Sequence, residues 1–204
     1  MSFLQQGFRE PVFDAQHCFR QILTAMSEPG RIVKLDRSNA IGVLHRASIA
    51  LCLTLLDRAT PLWIGESLQS AVVAQNLRFH CNVAQVSDPA QAEFILTDHT
   101  SLPDLMSLPV GTMEYPDQGS TLWLQVDALG QPGKVQGTHL QLRGPGIETQ
   151  RELVVDLLAA PVLDYLTKRP HAFPLGLDIV FICDTQIAAI PRITHVEVLS
   201  CMSQ

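Results

Sequence analysis

Residues 43–56 constrain the fold more than any other segment, because this stretch is apolar on nearly every side. A helix tolerates such a sequence only where other elements cover most of its faces. Its most apolar run, residues 47–56, is far shorter than the roughly 18 residues that a membrane-spanning helix needs. We therefore predict a central helix, surrounded by other elements, in a protein that does not insert into a membrane.

Length and composition predict one domain with a surface that meets a partner. A chain of 204 residues suits a single domain, 1–204, since single domains usually run about 100–200 residues. Hydrophobic residues make up 47% of the sequence and charged residues only 17%, where roughly a quarter is usual. We expect part of this apolar surface to face a partner, and the isolated chain to cover it as a two-fold homodimer.

Charge and cysteine content exclude several classes of function. The net charge is -6 and the three lysines, Lys34, Lys134 and Lys168, form no basic run with the arginines, so no nucleic-acid partner is expected. The N-terminal residues lack a basic region followed by an apolar stretch, which argues against export. Five cysteines at wide, irregular spacing indicate reduced core residues, and these features together predict a cytoplasmic protein.

Apolar periodicity predicts helices and strands that alternate in the first part of the chain. The first helix is expected to begin at an Asp14 N-cap, to present Phe19, Ile22, Leu23 and Met26 on its apolar face, and to end at residues 27–30. Further helices are predicted from a Ser67 N-cap to about residue 79, at residues 101–108 and at residues 158–168. Strands are predicted at residues 31–35, 61–64, 84–86, 94–97, 121–126, 139–143, 151–155, 177–183 and 187–190, with a terminal strand that runs through residue 197.

This order of elements predicts an α/β protein. Because antiparallel strands dominate the later part of the chain, we expect a mixed sheet flanked by helices. Residues 127–138, which are rich in glycine, are expected to form a surface excursion rather than a domain boundary.

The sequence contains none of the common self-sufficient catalytic motifs. GxxxxGK[ST], GxGxxG, HExxH, CxxC and GxSxG are all absent, so no phosphate loop, dinucleotide fingerprint, zinc site or nucleophile elbow is predicted. Residues 144–146 (GPG) are the nearest approach to a glycine cradle, and a plain turn is the better interpretation. None of the lysines has the pattern of a pyridoxal-phosphate Schiff base, so neither a cofactor nor a metal is predicted.

Two segments and one predicted helix end hold the candidate ligand- or partner-binding residues. The helix end near residue 79 carries basic residues that form either a weak anion or metal site or a complement to the helix dipole. The segment 169–178 (RPHAFPLGLD) is either a binding loop or a rigid connection. The strand break at residues 190–195 (IPRITH) suits either phosphate or phosphonate oxygens or an ion pair. The candidates are Arg78, His80, Arg169, His171, Arg192 and Thr194.

Nearly the whole chain resembles the PhnH family, whose members are subunits of the bacterial carbon-phosphorus lyase complex. The motifs that carry the resemblance occur in order: DAQH at 14–17, AMSEPG at 25–30, TPLW at 60–63, LRFH at 77–80, GPGI at 144–147, RPHAFPLG at 169–176 and AIPR at 189–192. Residues 192–195 depart from the pattern, because related sequences more often have two successive threonines there.

The resemblance implies a fold similar to that of pyridoxal-phosphate-dependent transferases, without the cofactor lysine. It implies PhnG-, PhnI- and PhnJ-like partners and a part in forming an α-D-ribose 1-alkylphosphonate 5-triphosphate from ATP and an alkylphosphonate, with release of adenine. A nucleotide or phosphonate at a site shared with these partners is also implied, whereas no catalytic residue set carries over to this chain. The competing hypothesis is a stand-alone transferase that uses pyridoxal phosphate.

Overall fold

The computed structural model describes residues 4–156 and 158–199, which fold into helices and two sheets. The α-helices in this part of the chain are α1 (Pro11–Ser27), α2 (Arg46–Leu55), α3 (Ala71–Cys81) and α4 (Ala160–Lys168). The strands are β1 (Val33–Lys34), β2 (Leu62–Ile64), β3 (Phe94–Asp98), β4 (Thr121–Gln125), β5 (Leu129–Gly130), β6 (Thr138–Arg143), β7 (Arg151–Val155), β8 (Asp178–Cys183), β9 (Gln186–Ile190) and β10 (His195–Leu199).

The larger sheet is mixed and has the strand order β1-β9-β8-β4-β3-β2. Strands β2, β3, β4 and β8 run parallel, while β9 pairs antiparallel with both β8 and β1. The remaining strands form a separate antiparallel sheet in the order β10-β6-β7-β5. The predicted α/β architecture with a mixed sheet is therefore confirmed, and the later antiparallel strands gather mostly in a sheet of their own.

The larger sheet separates two hydrophobic cores. On one face it packs against α1, α2 and α3, and Trp123 points into this core. On the other face it packs against the antiparallel sheet and α4, and Leu122 and Leu124 point there. Such alternation is what a strand buried on both faces requires. The predicted central helix is confirmed, since six successive residues of α2, from 47 to 52, are buried.

Helix α1 differs from its prediction in both its start and its buried face. It begins at Pro11 after an N-cap at Glu10, so the prediction of an Asp14 N-cap is wrong. The Asp14 carboxylate still accepts a hydrogen bond from the Glu10 backbone N–H, at 2.8 Å, from inside the first turn. The face turned to the core consists of Asp14, Cys18, Ile22 and Ala25. Phe19 and Leu23 lie outside the core and are exposed.

Several shorter elements also differ from their predictions. Helix α3 is capped by Ser70, whose hydroxyl accepts from the Val73 N–H, whereas Ser67 lies in a separate 3₁₀ turn, Glu66–Leu68. The predicted strand at 84–86 is reduced to one bridge at Gln85. The predicted helix at 101–108 is only the 3₁₀ turn Leu105–Ser107. The excursion at 127–138 contributes the two-residue strand β5.

The GPG motif at 144–146 forms the turn between β6 and β7 and packs on the end of α1. Gly146 has φ +81°, and a Cβ there would lie 2.0 Å from the Ser27 carbonyl oxygen. Arg151 on β7 donates hydrogen bonds to the carbonyl oxygens of Glu28 and Pro29, both at 2.9 Å. The turn interpretation is thus confirmed, and the motif joins the helical layer to the antiparallel sheet.

The described cysteines are free, and three of them, Cys18, Cys52 and Cys81, are buried. Burial raises the pKa of the Cys18 thiol to about 11, assisted by the nearby Asp14 carboxylate. Burial raises that of Cys81 to about 12. These thiols therefore stay protonated in the core, as predicted for reduced core residues, while Cys201 lies outside the described residues. Among the described helices, none has the length and apolarity to cross a membrane.

Candidate functional site

Four of the six candidate residues surround one small cavity, which we call the α4 notch. It has a volume of about 30 Å³ and lies between the end of α4, the segment that follows it and the connection from β9 to β10. Arg169, His171, Arg192 and Thr194 line it together with Tyr165 of α4. The two segments singled out in the sequence therefore meet in space.

The end of α4 shapes one side of the notch. Arg169 is the C-cap in the left-handed conformation, with φ 47°, and its N–H donates to the Tyr165 carbonyl. The Tyr165 hydroxyl accepts from the Leu177 N–H at 3.0 Å, which returns the chain to α4 after the proline-rich segment. Burial raises the pKa of Tyr165 above its ordinary value, so this hydroxyl is protonated near neutral pH.

An ion pair between Arg192 and Asp178 shapes the opposite side. The carboxylate accepts from Nη2 of Arg192 at 2.7 Å, from Nε at 3.2 Å and from the Arg192 backbone N–H at 2.8 Å. Nη1 of Arg192 donates to the Pro116 carbonyl oxygen at 2.7 Å. Both side chains are largely buried, with 14% of Arg192 and 16% of Asp178 exposed. The Arg192 guanidinium is thus engaged within the chain at each of its three nitrogens.

Two polar atoms of the notch are buried without a hydrogen-bond partner among the described residues. They are Nε2 of His171 and Oγ1 of Thr194. Thr194 is only 3% exposed, and the His171 ring lies 6.0 Å from that of Tyr165, centroid to centroid. Arg169, which lines the notch, places Nη1 2.8 Å from the ring nitrogens of the exposed His195. The lining of the notch is therefore a mixture of polar and apolar side chains, and its two cations, Arg169 and Arg192, are already engaged.

Arg78 and His80 lie elsewhere, at the end of α3. The Arg78 carbonyl accepts from the N–H of Asn82, the left-handed C-cap. Nε2 of His80 lies 2.9 Å from the Gln5 carbonyl oxygen, so its ring holds the N-terminal segment. Both basic side chains occupy the last turn of the helix, where a cation complements the helix dipole. The structure does not bring this pair to the α4 notch.

A larger cleft next to the notch had no counterpart in the sequence-based predictions. It has a volume of about 760 Å³, lies between residues 99–106 and α4, and shares Tyr165 and Pro170 with the notch. Small-molecule sites usually measure about 300–1,000 Å³. Its walls are mainly apolar, with Leu102, Leu105 and Met106 among them. No motif identifies it, because its two walls are more than fifty residues apart in the chain.

The donor groups do not fit a pyridoxal-phosphate or metal centre. Lys34 and Lys134 are exposed, and Lys168 at the rim of the cleft is held in an exposed ion pair with Asp164, at 2.8 Å. A Schiff-base lysine needs an enclosed site with a phosphate cup. In the described part of the chain, no cluster of three or more histidine, cysteine or acidic side chains is arranged to hold a metal ion.

Helix α1 exposes an apolar surface, which we call the α1 stripe: Val12, Phe19 and Leu23. Their spacing places them on one side of the helix. Val12 is 78% exposed, Phe19 44% and Leu23 51%. Phe13 is exposed next to them. Clusters of large exposed apolar side chains are typical of protein-binding surfaces.

Comparison with known proteins finds one family and two relatives. The family model described as bacterial phosphonate metabolism protein (PhnH) matches residues 6–197. The chain is 31% identical over 195 residues, 94% of each chain, to the alpha-D-ribose 1-methylphosphonate 5-triphosphate synthase subunit PhnH of Rhizobium meliloti. It is 34% identical over 183 residues, 89% of this chain and 85% of the relative, to HtxG of Stutzerimonas stutzeri, which is described as a C-P lyase subunit protein.

Proposed function

We propose that this chain, which belongs to the PhnH family of bacterial phosphonate metabolism proteins, is a subunit of a carbon-phosphorus lyase complex in organophosphonate catabolism. The match over residues 6–197, together with two relatives named as subunits of such systems, carries this proposal. The complex would form an α-D-ribose 1-alkylphosphonate 5-triphosphate from ATP and an alkylphosphonate, releasing adenine. Its other members would be PhnG-, PhnI- and PhnJ-like subunits.

The arrangement of polar groups supports an accessory role rather than a complete active site in this subunit. Arg192 is neutralised by Asp178, and Arg169 lies against His195. These bonds connect separate segments of the chain and leave few donors for a substrate. We propose that a nucleotide or phosphonate binds where this chain meets its partners, and that the cleft beside the notch supplies the volume. The candidate residues remain Arg78, His80, Arg169, His171, Arg192 and Thr194.

The α1 stripe supports the subunit role, because it leaves Phe19 and Leu23 uncovered in the single chain. We propose that partner subunits cover it in the complex, and that the isolated chain pairs as a homodimer. The proposal takes residues 1–204 as one cytoplasmic domain whose fold is related to the pyridoxal-phosphate-dependent transferases without their cofactor. Light scattering of the isolated chain at micromolar concentration tests the dimer, which a monomer would contradict.

Co-purification from phosphonate-grown cells tests the subunit assignment. A tagged copy of this chain should retain the PhnG-, PhnI- and PhnJ-like proteins, and recovery of none of them would refute the proposal. The double variant Phe19→Glu/Leu23→Glu places charge on the α1 stripe and should reduce that recovery. Gln21→Glu is the matched control, because Gln21 lies on the side of the same helix opposite Val12. Equal recovery with the double variant would exclude the stripe as a partner surface while leaving the assignment intact.

A further inference from the structure

The loop at residues 110–119, between the 3₁₀ turn Leu105–Ser107 and β4, carries large apolar side chains on its surface. Met113 is 71% exposed and Tyr115 is 50% exposed. Neither side chain packs into either of the two hydrophobic cores of the described residues, so the core does not explain them. Methionine and tyrosine are enriched at the buried centres of protein–protein interfaces. This loop is therefore a candidate for a surface that a second protein covers.

The loop is ordered by its own hydrogen bonds. The Thr112 N–H donates to the Tyr115 carbonyl oxygen at 3.1 Å, and the Thr112 hydroxyl accepts from the Tyr115 N–H at 2.9 Å. Val110 and Gly119 pair as an antiparallel bridge at the base of the loop. Gly111 has φ +79°, and a Cβ there would lie 2.7 Å from a carbonyl oxygen of the same loop. These contacts fix the backbone on both sides of the exposed tip.

Contacts from two neighbouring segments hold the loop on the domain. The Val110 carbonyl oxygen accepts from the Gly176 N–H at 3.0 Å, and the Pro116 carbonyl oxygen accepts from Nη1 of Arg192 at 2.7 Å. The loop is thus in place before any partner arrives. A surface that is ordered in advance loses little conformational entropy on binding, which favours affinity. Exposed apolar side chains on such a loop are suited to dock a protein.

The charge of this region selects the chemistry of the partner. Residues 79–133 contain seven acidic residues and no lysine or arginine. Glu114 and Asp117 of the loop are exposed, and neither forms an ion pair with a described residue. Arg192, which contacts the back of the loop, is already neutralised by Asp178. The loop therefore presents uncompensated negative charge, which attracts a basic protein surface and repels phosphate or phosphonate anions.

A second copy of this chain is a poor occupant for the loop. A two-fold contact places the same patch of both copies against each other, so Glu114 and Asp117 would meet an identical acidic patch. Like charges across an interface oppose association. Helix α1 packs into one hydrophobic core, whereas Val110 packs against the other. A homodimer formed through the α1 stripe therefore does not need this loop.

We propose that the 110–119 loop is a docking element for a partner subunit, which receives Met113 and Tyr115 in an apolar pocket rimmed by arginine or lysine side chains. Glu114 and Asp117 pair with these basic side chains. The identity of the partner rests on the proposed function, whereas its chemistry follows from the loop itself. The subunit then contacts the complex at two separate surfaces, the α1 stripe and this loop.

Titration of the labelled full-length chain against the co-expressed PhnG-, PhnI- and PhnJ-like proteins, followed by fluorescence anisotropy, measures the Kd. Met113→Ala/Tyr115→Ala should raise the Kd at least about tenfold, the loss expected when interface anchors are truncated. Met113→Ala alone, at the exposed tip, should raise it at least about threefold without changing the melting temperature. Phe79→Ala is the control, because it removes a 65% exposed apolar side chain from α3, and it should leave the Kd unchanged.

Charge reversal tests the basic partner surface. Compared with the wild type at the same salt concentration, Glu114→Lys should raise the Kd at least about fivefold in about 50 mM salt. In about 500 mM salt the difference should fall below about twofold, because salt screens the attraction. Glu148→Lys is the matched control, since Glu148 is an exposed carboxylate in the turn between β6 and β7. Its Kd should equal that of the wild type.

The outcomes separate this proposal from the subunit assignment. Unchanged binding by the Met113 and Glu114 variants, with the wild type bound, would overturn the docking role and leave the assignment intact. No binding by the wild type would refute the assignment and, with it, the named partner. Light scattering tests the other occupant: if Met113→Ala/Tyr115→Ala converts an isolated dimer into a monomer, the loop belongs to a contact between two copies and the proposal is wrong.

Discussion

Removal of the Arg192 guanidinium should destabilise the domain, because it leaves the Asp178 carboxylate largely buried without its counter-ion. Breaking a buried ion pair by deleting one partner costs about 3–5 kcal/mol. Two features lower that figure here: Asp178 keeps the hydrogen bond from the backbone N–H of residue 192, and its side chain is 16% exposed. Loss of the hydrogen bond from Arg192 to the Pro116 carbonyl oxygen raises the cost, because that carbonyl loses its donor. We expect Arg192→Ala to lower the free energy of unfolding by about 2–4 kcal/mol.

Urea and thermal unfolding of the purified full-length chain, followed by circular dichroism, measure this effect. For a domain of this size, 1 kcal/mol shifts the melting temperature by about 2–4 °C, so Arg192→Ala should lower it by about 4–16 °C. Lys168→Ala is the matched control. Its ion pair with Asp164 has nearly the same length, 2.8 Å, but the two side chains are 70% and 61% exposed. Removal of that pair should change the free energy of unfolding by less than about 1 kcal/mol.

The double variant Arg192→Ala/Asp178→Ala completes the cycle. It should be less destabilised than the sum of the two single variants, because it no longer buries an unpaired charge. If Arg192→Ala unfolds within about 0.5 kcal/mol of the wild type, the ion pair does not have the structural role assigned to it. Loss of growth on phosphonate with that unchanged stability would then favour phosphate or phosphonate binding, one of the two alternatives that the sequence left open for residues 190–195.

Three further predictions follow from single residues. Burial raises the pKa of Tyr165, so the neutral phenol stabilises the fold below the ordinary pKa near 10, and this contribution is lost as pH rises through the folded-state pKa. Alkaline absorbance titration should show a late step that Tyr165→Phe removes. Burial raises the pKa of Asp98, but hydrogen bonds from neighbouring hydroxyl and backbone N–H groups outweigh it and leave a net lowered pKa. The ionised Asp98 carboxylate should therefore stabilise the fold above about pH 3.9, and this contribution should be lost as pH falls through the folded-state pKa. Asp98→Asn should make the free energy of unfolding depend less on pH in this acidic range. Gly146→Ala should destabilise by about 1–3 kcal/mol more than Gly133→Ala in urea unfolding. Both glycines have φ near +80°, but only a Cβ at 146 meets other atoms.

The sequence predicted a helix well where its apolar residues were all explained by burial in the core. Residues 47–52 are apolar because this part of α2 is buried on all sides, whereas the helix begins at Arg46 and Val43 of the predicted segment is exposed. In α1 some apolar residues are explained by burial in the core and others lie on the exposed surface. Cys18 and Ile22 face the core, whereas Phe19 and Leu23 face outward, and hydrophobicity alone does not distinguish a core from a surface that a second protein covers.

For the candidate site, the sequence identified the segments involved but not the contacts between them. The sequence identified residues 169–178 and 190–195 as unusual, but it gave no reason for them to meet. They meet because β8 and β9 form a hairpin in which Ile179 pairs with Ile190, so Asp178 returns next to Arg192. The contact of Arg192 with the Pro116 carbonyl depends on a 3₁₀ turn without a recognisable motif. Tyr165 was missed because a tyrosine in a helix carries no sequence mark of a buried hydroxyl.

Several of the motifs that relate this chain to its family form contacts that connect separate elements of the fold. The end of α1 receives the turn at 144–146 and two hydrogen bonds from Arg151. In the same way, the start of β8 and the connection after β9 are joined by the Arg192–Asp178 ion pair. A guanidinium engaged in this way positions backbone and has little capacity to bind a reacting group. Under the proposed subunit role, the chain would hold the surfaces around α4 and α1 in a fixed shape, and partner subunits would supply the reacting groups.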